Sequence, residues 1–206
     1  MTHSLNEVEA LAKKAARGAG LTWGEADEAG KAVRWLCGWG CDGVGIFARW
    51  LGSSDRKLNN APLSVSDPVW RAPSGRLDPL QCGTRLSDFA QRLPEQRRIE
   101  LAGLSFPLLI FPFVARSALH IRQPVSVSWG AVSMVSDGHG VILRDDAGLL
   151  ADSCDIAVVS LDCAMGAQAV TVTRAHPAAD DLAVLEAFAH RTYAPATEES
   201  RRLGAG

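Results

Sequence analysis

Apolar positions recur every three or four residues from the start of the chain. Val8, Leu11, Ala12, Ala15 and Ala19 fall on one face of a helix. Ser4 and Glu7 stand at the spacing of a capping box, so this helix has a defined start, and Gly18 and Gly20 mark its end. The pattern then repeats. Thr22 and Glu25 form a second capping box, and Ala26, Ala29, Gly30, Val33 and Cys37 line the next face. A linker this short makes the two helices antiparallel neighbours. Their facing stripes are rich in Ala and Gly, which lets the axes approach closely. Asp42 caps a short third helix, with Val44, Phe47, Ala48 and Leu51 facing inward.

Residues 53–83 carry no clear period, and Pro62, Pro68, Pro73 and Pro79 interrupt them. They read as an irregular linker anchored by Val69 and Trp70. Leu86, Phe89, Ala90 and Leu93 mark a short helix ending before Pro94. Ile99 and Leu101 alternate with their neighbours as in a strand, and Leu108 to Phe111 suits a buried strand. Val114, Ala118 and Ile121 fit a helix begun by Pro112 and closed before Pro124. From Val125 the period changes to two. Val125, Val127, Trp129, Val132 and Met134 alternate with polar residues across a bulge or bend at Gly130. The turn Asp137-Gly138-His139-Gly140 leads into a return strand at Val141 to Arg144. Ile156 to Leu161 and Ala169 to Thr173 predict a second strand pair. Asp180 or Asp181 caps a last helix, with Leu182, Leu185, Phe188 and Ala189 inward.

The pattern divides the chain into a helical N-terminal unit (1–52), the linker (53–83), an α+β body (84–193) and a tail (194–206). The expected class is α+β, a helical hairpin and short third helix packed on a mixed or antiparallel sheet with a C-terminal helix.

Composition changes this picture little. The 206 residues are 47% apolar and 21% charged, with a formal charge of −2, so nucleic-acid binding has no electrostatic support. The opening lacks the apolar stretch of a signal peptide, and Pro107, Pro112 and Arg116 interrupt the most hydrophobic run. No membrane association is expected. Five irregularly spaced cysteines read as free thiols in a cytoplasm.

Candidate chemistry is sparse. Cys37 and Cys41 sit four apart, but Cys82, Cys154 and Cys163 lack paired spacing, so no metal and no cofactor is expected. There is no G-x-S-x-G, no phosphate-binding loop and no G-x-G-x-x-G after a strand. Asp137 and His139 share one loop tip with Ser136 and are weak catalytic candidates, since neighbours in sequence seldom form a triad. Asp145, Asp146, Asp152 and Asp155 make an acidic patch without the spacing of a calcium loop. Lys13, Lys14 and Arg17 gather on the outer side of the first helix.

Trp35 lies opposite the small-residue stripe of the second helix, beside Glu28 and Lys31. It is either a packing contact with the β-rich half or part of a ligand wall or partner surface. Arg116 stands among Phe111, Phe113, Val114 and Leu119. Its charge must reach water, meet an Asp or Glu, or bind a ligand anion. Arg17, Arg34, Trp35 and Arg116 are the candidate ligand-binding residues.

The opening also resembles a bacterial family of uncharacterised proteins, domain of unknown function 3726. The residues that carry the likeness are Ser4-Leu5-Asn6-Glu7, Lys14-Ala15-Ala16-Arg17-Gly18-Ala19-Gly20, Trp23-Gly24, Glu28-Ala29-Gly30 and Arg34-Trp35-Leu36. Arg122-Gln123-Pro124-Val125 and the tail from Ser200 to Gly206 are similar too, which implies coverage of nearly the whole chain. The resemblance implies no activity and no catalytic residue.

The leading expectation is a non-catalytic accessory or small-molecule-binding protein, with a small anionic metabolite or a protein as partner. The alternatives are a hydrolase or lyase acting on a small anionic metabolite, with Arg17, Arg34 or Arg116 holding the anion, and a structural subunit of a larger complex.

Overall fold

The computed structural model of the protein describes residues 2–54, 64–66, 68–161, 163–167 and 169–192. The break expected at Pro62 and the tail (194–206) lie outside the described residues.

The chain opens with a two-residue strand, β1 (His3–Ser4), and helix α1 (Leu5–Gly18). The Ser4 hydroxyl accepts from the Glu7 N–H, while Glu7 accepts from the Ser4 N–H at 2.7 Å, so the expected capping box is complete. Helix α2 (Trp23–Gly38) starts with the same device between Thr22 and Glu25. Each box satisfies two of the backbone donors that a helix start leaves free. The close approach of the two helices is real. A Cβ on Gly30 would lie 2.9 Å from the Glu9 carbonyl oxygen on α1, a separation only glycine permits. Asp42 then accepts from the Gly45 N–H at 2.9 Å as helix α3 (Gly43–Ser54) begins.

Strands β2 (Ser64–Ser66) and β3 (Val69–Arg71) follow, then α4 (Pro79–Asp88), α5 (Leu93–Gln96) and β4 (Arg98–Ser105). Part of the segment read as linker is therefore regular. Asp78 and Pro79, read as chain breakers, are the N-cap and first-turn proline of α4. The helix expected around Leu86 to Leu93 instead starts at Pro79 and ends at Asp88. Pro94 sits in the first turn of α5 rather than beyond a helix end.

After β4 come a 3-10 turn (Pro107–Ile110) and α6 (Phe111–Ile121). The strand expected at Leu108 to Phe111 is thus helical. Every residue there is buried, so no alternation could separate a buried strand from a buried helix. The remaining elements are β5 (Val125–Trp129), β6 (Val132–Ser136), β7 (Val141–Asp145), β8 (Ser153–Ser160), β9 (Arg174–Ala175) and α7 (Ala179–His190). Gly130 and Ala131 form a two-residue hairpin turn between paired Trp129 and Val132, not a bulge in one strand. Ala178, not Asp180 or Asp181, is the N-cap of α7.

The main sheet has the order β2-β3-β4-β8-β5-β6-β7, with β3 and β4 parallel and the other neighbours antiparallel. This is the expected α+β class with a mixed sheet. The pairing of Ile156–Leu161 with Ala169–Thr173 does not occur, because β4 and β5 occupy both edges of β8. Strand β9 pairs instead with β1.

Alternation along the strands buries Ile99, Leu101, Val127, Met134, Ala157 and Val159 on one face. Helix α6 packs on that face, α4 packs on α6, and α2 touches both. Helices α1, α3 and α7 complete the helical side. No helix among the described residues is long and apolar enough to cross a membrane. All five cysteines are free thiols.

Candidate functional site

The C-terminal end of α2 organises a large concavity. The Cys41 N–H reaches back to the Leu36 carbonyl at 3.0 Å, and Gly40 takes φ 74°. This left-handed glycine stops the helix and turns the chain towards α3. An irregular segment, residues 169–173, crosses the same helix end, where the Val172 N–H donates to the Gly38 carbonyl at 2.8 Å.

Two grooves flank this crossing, and Thr171 and Val172 line both. The larger encloses about 740 Å³ between the α2–α3 turn and residues 171–178, and Cys37, Cys41, Asp42, Arg174 and His176 face it. The smaller, about 420 Å³, is walled by Leu5, Trp35 and Trp39, with Arg34, Lys31 and Glu9 at its rim. The two indoles lie 5.9 Å apart, tilted by 50°.

Electrostatics set what the larger groove can do. Burial pushes the Cys37 thiol up to about 11, although the backbone N–H groups of Gly43 and Val44 favour its thiolate. Burial, then Cys37 and Asp42, push Cys41 up to about 11 as well. Neither sulfur is an activated nucleophile at neutral pH. Gly38-Trp39-Gly40-Cys41-Asp42-Gly43 has the glycine spacing of a dinucleotide loop. It follows a helix rather than a strand, and Asp42 already fills the anion position at the start of α3. No group of His, Cys, Asp and Glu among the described residues is arranged to hold a metal ion.

The candidates read from the sequence separate into four places. Arg34 and Trp35 meet at the smaller groove. Trp35 is half-buried, with its ring edge-on to Phe111 at 5.3 Å. Its cover is therefore the start of α6, not a strand, because α6 lies between α2 and the sheet. Arg34 pairs with Glu9 at 2.8 Å. At this exposure such a pair contributes little, so a ligand anion can replace its carboxylate at small cost.

Arg17 and Arg116 lie elsewhere. Arg17 donates to the Leu21 carbonyl and stacks 4.5 Å above the exposed Trp23 ring. Arg116 donates to Glu28 and lies over the Phe113 ring. Of the three fates open to it, the guanidinium meets a glutamate, but in a pair that water reaches, with side-chain exposures of 42% and 24%. Replacing Arg116 with Met should therefore lower stability by less than about 1 kcal/mol in urea unfolding. A loss of roughly 3–5 kcal/mol, as for a stranded buried charge, would contradict this placement.

Asp137 and His139 occupy the β6–β7 turn and serve to build it. The Asp137 carboxylate accepts the N–H groups of His139 at 2.8 Å and Gly140 at 2.7 Å, and these bonds hold it below the usual carboxylate range. The Ser136 hydroxyl donates to the Gly140 carbonyl. A further small cavity, about 130 Å³, lies beside Glu25, Glu28, Asp78 and Trp50. Burial raises the Asp78 carboxyl, opposed by bonds from the Gln81 and Leu80 N–H groups and by the Trp50 indole. Each of these carboxylates already has partners: the Thr22 cap, Arg116 with Lys31, and the start of α4.

Sequence reasoning missed Trp39, Arg174 and His176. Trp39 was hidden between two helix-ending glycines, and nothing local relates residues 171–178 to α2. No curated protein matches the chain. Residues 3–77 do match a family model, which includes α1, α2 and α3 and so one wall of both grooves. The match stops short of the Arg122–Val125 segment and the tail. Over residues 3–77, the chain is similar to the family described as Protein of unknown function (DUF3726).

Proposed function

We propose that the chain is a non-catalytic, small-molecule-binding protein of the cytoplasm, and that its ligand is a small anionic metabolite seated at the C-terminal end of α2. The observation that carries this reading is the convergence of Arg34, Lys31, Trp35 and Trp39 on one groove that adjoins a second, larger one. Both volumes fall within the range of small-molecule sites, roughly 300–1,000 Å³. The indoles offer flat apolar walls, and Arg34 offers a planar fork suited to a carboxylate or phosphate. Arg17 and Arg116 have no part in this site.

A second reading has one observation in its favour. His176, Asp42 and Cys41 share the larger groove, and a hydrolase or lyase could use such groups on the same class of metabolite. The raised thiols argue against a cysteine nucleophile there.

Thermal-shift measurements against a panel of small carboxylates and phosphates test the proposal. A ligand at about a hundred times its Kd stabilises by roughly 2.7 kcal/mol, a rise of about 5–10 °C for a chain of this size. Trp35→Ala should remove that rise. A panel without any stabilising member, or a rise that survives Trp35→Ala undiminished, would overturn it.

A further inference from the structure

Thr171 and Val172 form the partition between the two grooves, and very little holds the segment that carries them, residues 169–174, in place. Residues 169–174 are all exposed, and Val170 reaches 84%. An apolar side chain left in water contributes no burial to docking. Backbone bonds do the holding. The Ala169 N–H donates to the Val141 carbonyl at 2.7 Å, and the Val172 N–H donates to the Gly38 carbonyl at 2.8 Å. At the far end, Arg174 and Ala175 pair with Ser4 and His3, and Ala175 is buried. The crossing over α2 thus hangs between two anchors, with the Val172–Gly38 bond as its middle tie among the described residues. Segments with few buried apolar contacts and exposed hydrogen bonds open far more often than the core.

We propose that residues 169–173 are a hinged strap. It swings off Gly38 as a unit, joins the two grooves into one, and so admits the ligand. The inference rests on the reading of these grooves as the binding site. The strap's movement itself can be measured on the unliganded protein.

Amide hydrogen exchange followed residue by residue is the test. The Val172 amide should exchange at least about a hundredfold faster than the slowest amides of β8, because strap opening leaves the sheet intact. Val172→Pro removes the donor of the middle tie. It should preserve the circular dichroism of the parent and raise the labelling rate of buried Cys37 by 5,5′-dithiobis(2-nitrobenzoate) roughly three- to tenfold, the worth of one backbone bond. Labelling is followed by the mass of the Cys37 peptide. A Val172 amide that exchanges in step with β8, or a Cys37 rate unchanged in a folded Val172→Pro protein, would overturn the strap. If that variant does not fold, exchange in the unaltered chain decides. A failed strap leaves the Trp35-dependent stabilisation standing, whereas loss of that stabilisation removes the site and leaves the exchange rates unchanged.

Discussion

Trp50→Ala will lower the stability of the protein by roughly 4 kcal/mol, the cost of emptying a fully buried indole site. Trp50 is 1% exposed on α3, and its ring stacks on Phe47 at 5.5 Å with an interplanar angle of 24°. Phe47 is itself completely buried, so its ring cannot move into water to fill the space. The loss extends to a neighbour, because the Trp50 indole supports the half-buried Asp78 carboxylate at the start of α4. One substitution therefore loosens α3 and α4 together. For a chain of this length the midpoint should fall by roughly 8–16 °C. Trp50→Phe keeps most of the ring contact and should cost about half as much. Urea unfolding followed by circular dichroism measures both. A loss below about 1 kcal/mol for the alanine variant would mean that α3 is not part of the common core.

The second large effect comes from adding one methyl group. Gly18 closes α1 where α7 crosses it, and a Cβ there would lie 1.7 Å from the Phe188 carbonyl oxygen and 2.6 Å from its carbon. Both atoms are backbone, so no rotamer change can relieve the clash. In an exposed helix, alanine would be favoured over glycine by about 1 kcal/mol. Overpacking here opposes that gain by more, and Gly18→Ala should lose about 2 kcal/mol net. The damage should be local. Leu185 and Phe188 leave the core as α7 shifts, so amides of α7 should lose exchange protection while those of β8 keep theirs. Gly24→Ala is the control, since nothing lies within 4 Å of the added methyl. Equal stability for Gly18→Ala and the parent would show that α1 and α7 are not in this contact.

The N-terminal unit was legible in the sequence because its determinants are local. Two capping boxes, a small-residue stripe and the Asp42 cap specify α1, α2 and α3 from neighbours a few residues apart. The extended residues of β5, β6 and β7 and the turn at Asp137–Gly140 were legible for a similar reason, since alternation and a tight turn are short-range signals, but the turn at Gly130 that separates β5 from β6 was read as a bulge or bend. What failed depended on distant partners. Ile156 to Leu161 is a strand, yet nothing within it says that β4 and β5 take both its edges and leave residues 169–173 without one. Asp78-Pro79 carries opposite meanings, a break or a helix start, and only the packing of Leu80 and Leu86 decides between them.

The site follows the same division. Arg34 and Trp35 stood out as a cation and an aromatic on a helix face that should have been plain surface. Arg116 stood out equally, but Glu28, far away in sequence, answers its charge. Arg174 and His176 looked like ordinary loop residues because the segment that carries them, residues 171–178, meets the end of α2 only in the folded chain.

The most direct test of the binding site is a chemical-shift footprint of the first metabolite that stabilises the protein. Shifts confined to residues 31–42 and 171–178, on both sides of the strap, are what the grooves at the end of α2 predict. A footprint on the Asp137–Gly140 turn or on the outer face of the sheet, with Trp35 and Arg34 unmoved, would contradict it.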